Sequence, residues 1–252
     1  MKPHSIEIAA AGQSSRIREF IRTQGYPDDY PKFLLPTGNG NDETLLGRIV
    51  RQALEAPFDA PITINTTGAS YDYIEAHSDI APLFRNASVR VSLCSAGNSF
   101  GSFVPKLVNH NAAVIGSSAD YYVDVNWRDV LETHNRNRFP ATFVVGQTVA
   151  VDKGAVFDIS DDGRISGFER KTRTNKEDFI NVGIYFFEPT RALVKALKPL
   201  VEKQASEEEI VRALIDGQLL GAHVLSSQPF NVNTAETYGA LLYHTEATAR
   251  VA

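Results

Sequence analysis

The stretch "SIEIAAAGQSSRIREF", residues 5–20, decides how the chain begins to fold. "SIEIAAA" is an apolar run too short for a buried helix and of the right length for a buried strand, and "IREF" opens a helical pattern. Between them "AGQSSR" packs a glycine, two serines and an arginine into one turn. A strand that passes through small residues into a helix offers backbone N–H groups and the positive end of the helix dipole to an anion. Ala11 and Gly12 let the backbone approach, Ser14 and Ser15 add hydroxyl donors, and Arg16 adds a permanent forked cation. The stretch fits neither G-x-x-x-x-G-K-[ST] nor G-x-G-x-x-G. Read alone, a capped turn with Arg16 in solvent is the simpler account.

Outward from this unit, strand and helix patterns alternate. "ETLLGRIVRQALEA" (43–56), "YDYIEAH", "FVPKLVNHNA" and "NWRDVLETHNR" (126–136) read as helices, the last with Asn126 as its N-cap. "PITINTT" (61–67), "VRVSLC" (89–94) and "AVIG" (113–116) read as strands between them. Such alternation predicts a mainly parallel sheet covered by helices. Beyond residue 140 the character changes. "ATFVVGQTVAV", "AVFDIS", "ISGFER" and "FINVGIYFFE" follow one another through short connections such as "DDG" (161–163), which predicts added antiparallel strands. Pro189 is expected to open the helix "PTRALVKAL", and Ser206 to cap "SEEEIVRALIDG" with acids in its first turn. "GAHVLSS" returns as a strand and "TAETYGALLYHTEATAR" closes as a helix. The fold class is α/β: one domain over 1–252, whose halves 1–139 and 140–252 are divided by that change of character.

Composition narrows the function. With 43% hydrophobic and 22% charged residues, the 252-residue chain supports a sizeable core. A net charge of -5 without a lysine–arginine cluster argues against nucleic acid. The single cysteine, Cys94, forbids an intrachain disulfide and fits a reducing compartment. No apolar run approaches a membrane span, so a cytoplasmic protein without membrane contact is expected. The closing helix fits a subunit interface or intramolecular packing equally, which leaves a homo-oligomer open.

The pair "AAG-x-x-S-R … P-K-x-L-L-P", here 10–16 and 31–36, resembles the signature of nucleotidyltransferases that activate sugar 1-phosphates, a family with a Rossmann-like mixed sheet. The resemblance places Arg16 and Lys32 as the catalytic cations on the triphosphate, with Ala11, Gly12, Ser14 and Ser15 around it. It extends in order through the chain. "NSFGSFVP" (98–105) corresponds to a loop and helix that touch nucleotide and sugar, bringing in Gly101. "ADYYVD" (119–124) is similar to the segment whose aspartate, here Asp120, holds Mg²⁺. "DDGRISGFERK" (161–171) implies Glu169 on sugar hydroxyls and either Arg170 or Lys171 on the sugar phosphate. "FINVGIYFFEP" (179–189) implies Asn181 and Gly183 in the sugar pocket. "FNVNTAETY" (230–238) stands where the family carries a second metal aspartate, which is Asn231 here.

The resemblance implies joining of a nucleoside triphosphate to a phosphorylated acceptor, a sugar 1-phosphate, with Mg²⁺ and release of pyrophosphate, and makes 1–139 the nucleotide-binding half and 140–252 the acceptor-binding half. Two other readings stand beside it: the same chemistry on a phospho-alcohol, and a nucleotide-binding regulatory homologue without catalysis. The departures bear on that choice. Ser14 replaces a customary glycine, Ala119 replaces the glycine before the metal aspartate, and Asn231 and Asn233 replace an aspartate and a glycine. Asp124 is a candidate substitute ligand. The segment 19–30 is longer than usual and either contacts substrate or is a surface insertion.

Overall fold

The computed structural model describes residues 3–12, 14–38, 42–94, 99–147 and 152–249. Gln13 of the first turn, residues 95–98 of the nucleotide-side loop, 148–151 of the "ATFVVGQTVAV" strand pattern and Arg250 of the last helix lie outside them.

In chain order the elements are β1 (Ser5–Ala10), α1 (Arg18–Thr23), α2 (Leu45–Glu55), β2 (Ile62–Thr66), α3 (Gly68–Ala76), β3 (Val89–Leu93), α4 (Ser99–His110), β4 (Val114–Ser118) and β5 (Tyr121–Tyr122). There follow α5 (Trp127–Asn137), β6 (Ala141–Gln147), β7 (Asp152–Ile159), β8 (Ile165–Arg173), β9 (Phe179–Phe187), α6 (Arg191–Glu202), α7 (Glu207–Asp216), β10 (Leu220–Val224), β11 (Phe230–Asn231) and α8 (Ala235–Ala249). The main sheet runs β10-β6-β9-β4-β1-β2-β3. β3, β2, β1 and β4 are parallel, β9 is antiparallel to both β4 and β6, and β7 hangs the β7–β8 hairpin on β9. The expected α/β architecture is the observed one.

Local chemistry sets the helix starts. Asn126 accepts the N–H groups of Arg128 and Asp129, and Ser206 forms a capping box with Glu209. Pro189 does not open α6; Thr190 caps it and the helix begins at Arg191. A threonine cap satisfies a free N–H that proline has none to match, so the start moves past the proline.

Alternation along β1 divides two layers. Ile6, Ile8 and Ala10 join the core beneath α2 with Ile62, Ile64 and Val50. On the other face α4, α6 and α7 cover a second core rich in rings, where Tyr185 stacks edge-on to Phe100 and Phe143 at 4.8 and 4.7 Å. The longer 19–30 segment helps build a third cluster: Ile21 joins Leu35, Phe230 and Leu241, and Tyr30 contacts Tyr26 and Tyr73. It therefore acts as packing between the N-terminal turn and α8. No helix among the described residues is long and apolar enough to cross a membrane.

One charge sits inside these layers. Glu7, in mid-β1, is fully buried; its Oε2 lies 2.5 Å from Lys106 Nζ of α4 and accepts from Asn65 Nδ2 at 2.9 Å. Removing one partner of a buried pair strands the other. Lys106→Met is expected to cost about 3 kcal/mol, the low end because Lys106 is partly exposed. The double variant Glu7→Gln/Lys106→Met should recover most of that loss, as read from urea midpoints.

Candidate active site

A cavity of about 600 Å³ opens at the C-terminal ends of β1, β2 and β4, within the usual range for a small-molecule site. β1 has β2 on one side and β4 on the other, so chain connections leave it in opposite directions and a crevice forms above it. Ala11, Gly12 and Lys32 line its centre, Asn65, Cys94 and Gly101 one side, and Asp120, Ala205, Glu207 and Ile210 the other.

The first turn is tighter than the sequence suggests. Ser14 takes a left-handed φ of 55°, which accounts for the glycine expected at that position. Ile17 turns into the third core, and α1 starts only at Arg18 and lasts six residues. Anion affinity must therefore come from the turn's own N–H groups and side chains, since so short a helix adds little dipole. Arg16 is exposed and no ion pair holds it among the described residues. Ser14 Oγ accepts the Lys32 backbone N–H at 3.0 Å, and a Cβ on Gly12 would stand 3.6 Å from Lys32 Cε.

Lys32 occupies a single 3₁₀ turn after Pro31 and is buried. Its ammonium donates to Asp120 Oδ2 at 2.7 Å and to Asn233 Oδ1. Asn233 Nδ2 in turn donates to Asn231 Oδ1, and Asn231 also bonds the Tyr121 hydroxyl. Asp120 is fixed by the small β5–β11 ladder, in which Tyr121 pairs with Asn231, and by the Val232 N–H on its own carbonyl at 2.8 Å. Burial, with Asp120 nearby, pushes the Tyr121 hydroxyl above its ordinary range. Asp120 and Asn231 are thus linked through Lys32 and Asn233. Asn233, read in the sequence only as a lost glycine, stands between them. Asp124 instead pairs with Arg48 of α2 and lies outside the cavity lining.

For a divalent cation the donor set is one carboxylate, Asp120, with the amide oxygens of Asn231 and Asn233. Among the described residues no group of three or more His, Cys, Asp or Glu side chains converges. An all-oxygen set with one carboxylate fits magnesium when substrate phosphates complete the shell.

The acceptor-side expectations divide. Gly183 has φ 75° in a β-bulge where β9 passes β6, and a Cβ there would meet Ser118 Cβ at 2.7 Å. Asn181 Oδ1 takes the Gly183 N–H at 2.9 Å and its Nδ2 donates to the Tyr185 hydroxyl at 2.8 Å. The "N-x-G" pair so stabilises the bulge beside the strand leading to Asp120, and neither residue lines the cavity. Glu169 is exposed on β8 opposite Val156. Lys171 is held by Asp178 at 2.8 Å, while Arg170 turns toward the start of α7, 3.9 Å from Glu208. Glu207, in the first turn of α7, faces the cavity. Sequence reasoning saw it only as a helix-dipole acid; no periodicity marks a capping-turn residue as pocket lining.

A nucleotidyl transferase family model matches residues 28–228 of the 252. The chain belongs to the nucleotidyl transferase family. The match includes Lys32, Asp120 and Glu207 and begins after the 11–16 turn. A glucose-1-phosphate thymidylyltransferase of Streptomyces antibioticus is 33% identical over 90 residues, 35% of this chain; the match spans only 25% of that protein. Among solved structures, a putative glucose-1-phosphate thymidylyltransferase from Bacillus anthracis in complex with sucrose superposes with a TM-score of 0.73 at 16% identity, over 96% of this chain and 94% of that one. The CTP:phosphocholine cytidylyltransferase of Streptococcus pneumoniae gives 0.64 at 17% identity, over 96% and 99%. Members of the family are nucleotidyltransferase enzymes, generally dependent on a divalent metal, and the fold here is theirs.

Burial raises the Glu207 carboxyl above its ordinary value of 4.5; Arg170 opposes the shift and Asp120 adds to it. A raised folded value means that the unfolded chain ionises first, so stability falls as pH rises from the unfolded to the folded value. Glu207→Gln is therefore expected to be more stable than the parent at about pH 7.5, with the difference closing toward about pH 4. Urea midpoints at both pH values check this.

Proposed function

We propose that this family member joins a nucleoside triphosphate to a sugar 1-phosphate, forming a nucleoside-diphosphate sugar and releasing pyrophosphate. The observation that carries the reading is the convergence of Lys32 and Asp120 beside Gly12 in one cavity, with Ser14 and Asn233, outside its lining, bonded to Lys32. An acceptor phosphate oxygen attacks the α-phosphorus in line; one P–O bond forms as the bond to the departing pyrophosphate breaks. No covalent intermediate with the protein is needed, so the work is positioning and charge stabilisation.

In this reading the turn N–H groups and hydroxyls at Ala11, Gly12, Ser14 and Ser15 hold the phosphates, with Gly101 allowing close approach on the far side. Arg16, exposed and without an ion pair among the described residues, closes over the triphosphate, and Lys32 neutralises it from beneath. Asp120 and Asn231 would hold Mg²⁺, which when bound offsets phosphate charge. Arg170 is better placed than Lys171 for the acceptor phosphate, because Lys171 is already paired with Asp178. Glu169, Asn181 and Gly183 support the acceptor side from outside the cavity wall.

A second acceptor class has its own support. The wall on that side is Leu200, Val201, Gln204, Ala205 and Ile210 with Glu207 as its carboxyl, a mainly apolar surface. Such a wall favours a phospho-alcohol bearing a cationic or apolar end.

Pyrophosphate release should be followed with the four ribonucleoside triphosphates and dTTP against sugar 1-phosphates and phospho-alcohols, with Mg²⁺. One nucleotide and one acceptor are expected to be required, and Arg16→Ala should lower the rate by about 10²–10³. Tight nucleotide binding without release over the whole panel would favour the regulatory reading; no binding would overturn the assignment. Asn231→Asp should lower the Mg²⁺ concentration for half-maximal rate, and an unchanged requirement would remove position 231 from the metal site.

A further inference from the structure

Of the polar side chains that line the cavity and that the proposed chemistry leaves unused, Asn65 is the one that is buried. Asn65, near the end of β2, is 4% exposed and lines the cavity with Ala9, Ala11, Cys94 and Gly101. Its Nδ2 donates to Glu7 Oε2 at 2.9 Å and lies 3.4 Å from the Thr63 carbonyl. Both neighbours are acceptors only. A flipped amide would press its oxygen against a carboxylate and a carbonyl, so the network admits one orientation. That orientation leaves Oδ1 for the cavity. Lys106, 2.5 Å from the same Glu7 oxygen, balances the buried charge. The middle of a parallel strand covered on both faces calls for an apolar residue, so a carboxylate there is a costly way to fill space. Its structural effect is to fix the Asn65 amide.

Direction follows from the site. The triphosphate reading puts phosphates over Gly12 and Lys32, and the acceptor side over β4 and α7. The nucleoside then runs the other way across β1, toward β2 and β3, where Asn65 and Cys94 stand. Resting on the nucleotide reading above, we infer that Asn65 Oδ1 accepts a hydrogen bond from an N–H on the nucleobase edge, with Glu7 and Lys106 as positioning residues.

Calorimetry on the full chain tests this with each nucleoside triphosphate that binds and its N-methylated counterpart: N3-methyl for uracil or thymine, N1-methyl for guanine, N,N-dimethyl for cytosine or adenine. The parent protein should bind the methylated form about tenfold more weakly, the size of one lost hydrogen bond. In Asn65→Leu and Asn65→Ala the natural nucleotide should fall to the level of its analogue, while inorganic tripolyphosphate binds as before. Glu7→Gln, which lets the Asn65 amide turn either way, should shrink the discrimination and leave tripolyphosphate binding unchanged. Equal binding of natural and methylated nucleotides by the parent would overturn the inference, and so would discrimination that persists without Asn65. A loss on removing the 2′-hydroxyl in place of a loss on N-methylation would assign the contact to the ribose and overturn it too. If neither nucleotide nor tripolyphosphate binds, the nucleotide reading itself falls.

Discussion

A buried ammonium must find oxygen partners, and Lys32 finds them in segments 88 and 201 residues away. That single requirement fixes the site. It draws the 3₁₀ turn at Lys32–Leu34, the β5 segment after Asp120 and the β11–α8 connection to one point beside the first loop. The Lys32 backbone N–H adds a third tie, to Ser14, and with it a fourth piece, a turn whose left-handed residue leaves little freedom. Everything else in the neighbourhood holds one of these four pieces. The β5–β11 ladder positions Asp120 and Asn231, the Gly183 bulge supports the strand that leads to them, and the third hydrophobic cluster braces the loop against α8.

The charges arranged around that point are of both signs. Asp120 and Glu207 face the same cavity and repel each other, Lys32 offsets the first, and Arg170 acts on the second. A pocket for two polyanions needs mobile positive charge at its rim and fixed positive charge at its floor. On the proposed function, exposed Arg16 and buried Lys32 divide those duties. The Asp120 carboxylate and the Asn233 amide oxygen keep the lysine ordered.

Much of this was legible in the residues, for reasons that are local. The first βα unit, the helix capped by Asn126 and the capping box at Ser206 each depend on neighbours within four positions. The shift from parallel to antiparallel strands near residue 140 showed because connections shorten. Lys32 and Asp120 were named through a resemblance whose motifs lie far apart in the chain. What stayed hidden depends on long-range contact. Asn181 was expected to serve a ligand, yet its amide is consumed by a bulge that exists only once β9 is seated. Glu207 looked like an ordinary first-turn acid, because nothing in a helix start tells which way it faces. Asn233 looked like a loss, and only the fold shows its oxygen on Lys32. Glu7 was the one available signal: a charge inside an apolar strand calls for a buried partner, and neither Lys106 nor Asn65 is near it in sequence.

The position of β9 has a consequence for how the chain is made. It sits between β4 and β6 and bonds to both, so the middle of the sheet is filled by a strand that ends at Phe187. During synthesis β4 emerges long before the neighbour on its open side, and its unpaired N–H and C=O groups face whatever is nearby. The N-terminal half alone is thus an incomplete sheet with a bare edge, prone to sticking to other nascent chains. Completion waits for a span that also carries the β7–β8 hairpin. Slow translation through the stretch between β4 and β9 would prolong that exposure, so the ribosome's pace there bears on yield.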